Sequence, residues 1–308
     1  MKICVLTPNS VGSTILQRIL TLALFLQGQD VQNCDELTNG IAIHGHRIYK
    51  EPKLQFSQDL EQISSLLLQS KTSLISCVAK NMMDQRQDAH VAKQNFYQFL
   101  CEYNDSIIMC TRKNIFEYAL SWAIREQTNV LNIYTPKDRE HWPLDQTNKV
   151  NVKFFLSKCE EYVRYVYWVN DNFPNATRID YEDFVKDPGR IVNNICKIEN
   201  IMQEFFGASL DEIFKHEYYI NKKQMDMIDH NNTLPTLKYK NIMMMLGSRH
   251  ILPLETEAPI KNTSLSDKKQ LVGNFDKCKT IFKKFAKKHN WIDTSSIDYD
   301  FWQNTKVL

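Results

Sequence analysis

An α/β fold built on a parallel sheet is the architecture this chain predicts, and three observations predict it. Short apolar runs at residues 3–6, 74–79, 106–110 and 177–180 have the length of buried strands. Helix-period segments at residues 13–26, 58–69, 90–102, 114–126, 152–172 and 189–199 alternate with them. Small polar residues cluster just after the first run. Strands that alternate with helices pair in parallel, and helices then cover both faces of the sheet. Ligands of such sheets bind outside the carboxyl ends of the strands.

The elements follow in order. Ile3-Cys4-Val5-Leu6 is apolar at every position, as a strand buried on both faces requires. The helix over 13–26 is apolar on nearly all sides and reads as a core helix. Its apolar part, residues 15–26, carries Gln17 and Arg18 and falls short of the roughly 20 residues that span a bilayer. Asp187-Pro188 marks the start of the helix over 189–199, because proline suits the first helical turn. Residues 128–150 form a long polar stretch with Pro136 and Pro143, the kind of loop that covers a substrate. Residues 216–265 are irregular. One amphipathic helix is expected over 266–290, apolar at Leu271, Phe275, Cys278, Phe282 and Phe285. The reading is a single domain over 1–308, with a core over about 1–200 and a helical and loop extension over 201–308.

Composition narrows the class. The chain has 308 residues, 38 basic and 36 acidic, with a net charge of +2. That balance points to neither a nucleic-acid partner nor an acidic tail. The eight cysteines contain no C-x-x-C pair, and several lie in apolar strands. They read as reduced, buried thiols in a cytoplasmic protein. Met1-Lys2 leads straight into the first strand, so no secretion signal and no membrane span are expected. His44-Gly45-His46 places two imidazoles on an extended segment without a matching Cys, Asp or Glu, so no metal is expected there. These histidines line an acceptor cleft or lie on the surface. Met243-Met244-Met245 reads as core filling. The pairs Lys268-Lys269, Lys283-Lys284 and Lys287-Lys288 read as a solvated helix face.

The most informative stretch is Thr7-Pro8-Asn9-Ser10-Val11-Gly12-Ser13-Thr14, between the first strand and the first helix. Free backbone N–H groups and the positive end of a helix dipole make such a junction an anion site. The hydroxyls of Ser13 and Thr14 add donors. No lysine precedes Ser13, so the Walker pattern is absent. The stretch resembles the 5′-phosphosulfate loop of sulfotransferases. Two later segments carry the same resemblance in the same order. Residues 106–110 lead into Thr111-Arg112-Lys113-Asn114 and a helix that holds Ser121. Residues 176–184, with Asp180-Tyr181-Glu182-Asp183, look like the late strand and Tyr-Glu-Asp turn of that family.

The resemblance implies a P-loop-like sulfotransferase fold. It implies binding of 3′-phosphoadenosine-5′-phosphosulfate and transfer of its sulfuryl group to an acceptor hydroxyl, leaving 3′-phosphoadenosine-5′-phosphate. The acceptor is a small molecule, a carbohydrate or a peptide. Carried over by position, Asn9, Ser10, Val11, Gly12, Ser13 and Thr14 form the phosphosulfate loop. Arg112 and Ser121 hold the 3′-phosphate, and Lys261 is the candidate from a basic C-terminal loop. Glu36 is the candidate general base, in the segment after the first helix. Lys80 matches the lysine of the family's Lys-Thr-His element, and Met82 stands where the histidine would be. The chain departs from the family at Asn9 and Ser10, where a basic residue is usual, and its loop is one residue longer. Lys80 supplies that charge in this reading, with Arg18 a weaker substitute. Two other classes stay open: a nucleotide-binding protein without catalysis on the same fold, and a P-loop small-molecule kinase.

Overall fold

The computed structural model describes residues 1–13, 16–17, 20, 23–24, 29, 31–36, 42–43, 46–47, 73–79, 90–128, 149–197 and 265–295. The chain divides into two compact units. One comprises Met1–Thr111 and Tyr165–Glu255, the other Arg112–Arg164 and Thr256–Leu308.

The first unit is built on a parallel sheet. Its strands are β1 (Lys2–Thr7), β2 (Val31–Glu36), β5 (Ser73–Ala79), β6 (Ser106–Thr111) and β7 (Thr177–Asp180), in the spatial order β2-β5-β1-β6-β7. Every neighbouring pair is parallel. β3 (Ala42–Ile43) and β4 (His46–Arg47) form a separate antiparallel pair. His44 and Gly45, which the sequence reading put on an extended segment with His46, lie outside the described residues. β1 lies in the middle, and its residues Ile3, Cys4, Val5 and Leu6 are wholly buried. Each buried aliphatic side chain of this kind contributes about 1.5–3 kcal/mol.

The four expected strands are all present, each matching the expected bounds within a residue. β2 is the addition. Its sequence Val-Gln-Asn-Cys-Asp-Glu has no apolar run, because an edge strand pairs on one side only. Its register against β5 slips by one residue between Asn33 and Glu36, which marks a bulge.

Helix α1 follows β1. Its described residues, Ser13, Leu16, Gln17, Leu20, Ala23 and Leu24, are all buried. α2 (His90–Tyr103) precedes β6. Tyr97 meets Trp168 and Phe173 edge-on at centroid distances of 5.5 and 5.7 Å. After β7 come α5 (Tyr181–Lys186) and α6 (Pro188–Cys196). Asp187 caps α6 by accepting the Arg190 N–H, with Pro188 in the first turn, as the sequence predicts.

The described residues of the second unit are mainly helical. It holds α3 (Ile115–Thr128), the first part of α4 (Val152–Asn172), α7 (Leu265–Leu271) and α8 (Phe275–Ala286). Its core is aromatic: Phe116 packs edge-on against Phe155, Phe275 and Phe282 at 5.6, 5.3 and 5.5 Å. Asn274 accepts from the Val150 N–H and donates to the Val150 carbonyl, both at 3.0 Å. The single helix expected over 266–290 is two helices, interrupted at Val272-Gly273-Asn274. Glycine weakens a helix interior, and the Asn274 side chain is engaged with Val150. The expected helix over 58–69, most of the stretch 128–150 and the methionines at 243–245 lie outside the described residues.

The ends of β1 and β6 are tied by one phenol. The buried Tyr165 hydroxyl lies 2.8 Å from the Leu6 carbonyl and 2.8 Å from the Cys110 carbonyl, and shares its proton between them. Tyr165→Phe should therefore cost about 1–3 kcal/mol, because two buried acceptors lose a donor. Urea denaturation measures it, and an unchanged midpoint would remove this tie from the account.

Candidate functional site

The parallel sheet puts all its carboxyl ends on one edge. The register sets Thr7 beside Ala79 and Thr111 beside Asp180. From β1 the chain continues to β2 on one side, whereas β5 and β6 lead on toward the other. β1 is thus the switch point, where outgoing connections diverge and leave a crevice.

The loop at that point has an unusual backbone. Asn9, Ser10 and Gly12 adopt positive φ angles of 68°, 57° and 80°. Left-handed backbone costs a side-chain-bearing residue about 1–2 kcal/mol, least for asparagine. The loop starts on the buried Thr7, whose hydroxyl accepts the Asn9 N–H at 3.0 Å. It ends where the Gly12 carbonyl accepts the Leu16 N–H at 3.0 Å, opening α1. Ser13 is buried in the first turn of that helix. The first N–H groups of a helix have no partners within it, so they can serve an anion.

Tyr181 explains the glycine. A Cβ on Gly12 would overlap the Tyr181 ring. The Tyr-Glu-Asp segment is therefore packed directly on the loop, which ties the end of β7 to the loop after β1. The neighbouring Asp180 carboxylate lies 2.5 Å from the Thr111 hydroxyl and 3.0 Å from the Arg178 guanidinium.

Arg112 opens the second unit. Its backbone is held by one side chain: the Tyr162 hydroxyl accepts the Arg112 N–H at 2.6 Å and donates to the Arg112 carbonyl at 2.9 Å. Its guanidinium stands 3.6 Å from Glu117 Oε1, and the same oxygen lies 2.6 Å from Lys268 Nζ. Glu117 and Lys268 are buried. Burial pushes the Glu117 carboxyl upward, but Lys268 and then Arg112 reverse that and hold it below the ordinary range. Burial lowers the Lys268 ammonium and Glu117 opposes it, with a net lowering. The 2.6 Å contact has the length of a charge-assisted hydrogen bond. The Ser121 hydroxyl donates to the Glu117 carbonyl at 2.8 Å.

Lys268 corrects the sequence reading, which put it on a solvated face. Glu117 carried a signal that was missed: it is a lone acid within Ile115-Phe116-Glu117-Tyr118-Ala119-Leu120. Glu36 closes β2, the strand that follows α1, and pairs with Cys77 near the carboxyl edge. Thr14, Lys80 and Lys261 lie outside the described residues. Lys80 follows Ala79, the last residue of β5. Burial pushes the Cys4 and Cys110 thiols up to about 12, which makes these two poor nucleophiles. Among the described residues, no cluster of His, Cys, Asp or Glu could hold a metal ion, and no helix is long and apolar enough to cross a membrane.

Two outcomes are expected. Gly12→Ala should destabilise the protein by more than the left-handed penalty of about 1–2 kcal/mol, because the methyl also meets Tyr181. Gly12→Ala with Tyr181→Ala should recover the steric part only. Equal losses in both variants, compared by thermal melts with Tyr181→Ala alone, would contradict the packing. Glu117→Gln should cost about 3 kcal/mol near neutral pH, because two cations lose a buried partner. The lowered carboxyl contributes stability above its ordinary value of 4.5 and loses it as pH falls through the lowered value. The gap in melting temperature between wild type and variant should then narrow in acid. A gap that stays constant down to about pH 3 would contradict the ion pair.

No protein-family model, no curated protein and no solved structure matches this chain.

Proposed function

We propose that this protein is a sulfotransferase-like enzyme on a P-loop-like fold. It binds 3′-phosphoadenosine-5′-phosphosulfate and transfers the sulfuryl group to an acceptor hydroxyl. The observation that carries the reading is the loop after β1. It combines left-handed backbone at Asn9, Ser10 and Gly12, a helix start at Ser13 and a position at the switch point of a parallel sheet. Such a junction suits a terminal phosphate or sulfate.

The donor has two anionic ends, and the chain offers two kinds of group for them. Backbone N–H groups and Ser13 suit the 5′ end. Arg112 suits the 3′-phosphate, because a planar guanidinium matches phosphate oxygens. Glu36 is the proposed base for the acceptor hydroxyl, and Lys80 the proposed charge near the departing group. When bound, the donor supplies the transferable sulfuryl group. Positioning and charge neutralisation carry most of the rate in transfers of this kind.

A second reading has its own observation. Asn9 and Ser10 stand where the family carries a basic residue. A protein that binds the nucleotide without transferring its sulfuryl group would fit that loss. Labelled donor offered with sugar, phenol and peptide hydroxyls separates the two readings.

The donor assignment is tested by thermal shift. 3′-Phosphoadenosine-5′-phosphate should stabilise the protein by about 2.7 kcal/mol at roughly a hundredfold excess over its Kd. AMP, without the 3′-phosphate, should do much less. Arg112→Ala should weaken the diphosphate by about 1.5–3 kcal/mol, with Arg112→Lys only partly restoring it. Equal stabilisation by the two nucleotides would remove Arg112 from the site.

A further inference from the structure

We propose that the outer face of α8, with Trp291 just beyond its end, docks this protein on an anionic lipid bilayer. The proposal stands on the second unit alone and does not depend on the nucleotide reading.

The sequence sets the charge. Between Phe275 and Ser295 stand six lysines and two aspartates, with no arginine and no glutamate, while the whole chain carries a net charge of only +2. The fold then sorts these residues by side. Phe275, Cys278, Phe282, Phe285 and Ala286 are buried. They recur at helical spacing, so the apolar side of α8 is committed to the unit's own core. Lys277, Lys283, Lys284, Lys287 and Lys288 are all exposed. A spacing of four sets Lys283 in line with Lys287 and Lys284 in line with Lys288. A spacing of seven brings Lys277 into the second row. None of these five makes an ion pair with a described residue. Of the two acids, Asp276 lies in the first turn, and Asp293 accepts hydrogen bonds from the Ser295 N–H and hydroxyl.

The face continues past the last residue of the helix. Lys287 keeps right-handed helical backbone, and its N–H donates to the Lys283 carbonyl at 3.3 Å. The N–H groups of Lys288 and His289 donate to the carbonyls of Phe285 and Ala286, and that of Ile292 donates to His289. Ile292 is buried, whereas Trp291 beside it is 39% exposed. An exposed indole thus stands directly after the lysine rows, on backbone held by these turns.

Three features select the partner. The helix dipole accounts for cations in the last turn of α8 but opposes Lys277 in the first, so the dipole alone does not explain the rows. The cations are all lysines, point charges that suit a diffuse layer of lipid headgroups, whereas directional contacts to nucleic-acid phosphates favour arginine. Tryptophan prefers the headgroup level, where its ring meets an apolar layer and its N–H a wet one. The twelve residues of α8 span about 18 Å, long enough to spread the lysines along the surface. With its apolar side turned to the core, the helix lies on the bilayer, and Trp291 is the side chain that enters the interface.

Sedimentation of the full chain with vesicles tests this, using phosphatidylcholine alone and equal parts of phosphatidylcholine and phosphatidylserine. The protein should pellet with the anionic vesicles at low salt, stay behind with the neutral ones, and be released as salt rises. Each lysine at such a surface is worth about a fivefold change in partition, so Lys283→Glu with Lys287→Glu should weaken binding at least tenfold. Lys283→Gln with Lys287→Gln removes the charge without reversing it, and decides the matter if the glutamate variant does not fold. Lys186→Glu with Lys197→Glu makes the same change in net charge at exposed sites of the first unit, and should bind nearly as tightly as wild type. Trp291→Ala should weaken binding several-fold and leave its salt dependence unchanged, because the indole carries no charge. Equal losses in the two glutamate variants would reduce the effect to net charge and overturn the inference. So would binding to neutral vesicles as strong as to anionic ones, binding to neither, or a Trp291→Ala protein that binds like wild type. Duplex DNA at the same phosphate concentration should leave the protein on the vesicles. If it strips the protein off, the face holds a soluble polyanion and the inference fails.

Discussion

The burial of β1 is the constraint on which the first unit depends. Ile3 to Leu6 are wholly enclosed, and the strand is hydrogen-bonded along both edges, to β5 and to β6. A strand in that position cannot end at a sheet edge or in open solvent. Its carboxyl end must be finished locally, and three devices do it. The Thr7 hydroxyl turns the chain at Asn9, Tyr165 satisfies the Leu6 carbonyl, and Tyr181 seals Gly12. The left-handed loop is thus the form the chain takes when it leaves a buried central strand and enters a helix at once. The strained residues Asn9 and Ser10 are held there by packing on either side, which is how a few kcal/mol of backbone strain persists.

The second unit faces a different problem. It places a carboxylate among Ile115, Phe116, Tyr118 and Leu120, all of them buried. A buried charge survives only when paired, and a buried pair gains little net stability over apolar packing. Pairing with Lys268 is what lets the Glu117 carboxylate stay in that position, and removing either partner would leave the other buried and uncompensated. The aromatic cluster around Phe116 provides the apolar packing that offsets the cost.

What the sequence revealed follows a physical line. β1, β5, β6 and β7 were legible because strands enclosed by neighbours need apolar residues, and their runs are short and sharply bounded. β2 was not, because an edge strand tolerates Gln32, Asn33 and Asp35. The break between α7 and α8 was hidden by the apolar spacing of Leu271, Phe275, Cys278, Phe282 and Phe285, which keeps a helical period straight through it. Gly273 was the available sign. The loop residues and Arg112 were found because they lie at strand ends, where the chain changes composition. Tyr181 and Lys268 were not assigned their contacts, because each acts on a residue far away in the chain. Lys268 beside Lys269 looks like any exposed pair. Only the fold shows that one of them is buried.

Amide hydrogen exchange with and without 3′-phosphoadenosine-5′-phosphate tests the proposed donor most directly, read separately at the loop after β1 and at Arg112. The account predicts slower exchange at residues 10–13 and at residues 112–114 when the nucleotide is added in excess. With AMP, the protection at 10–13 should remain and that at 112–114 should disappear. Unchanged exchange at both segments, or protection at 112–114 that AMP reproduces in full, would contradict it.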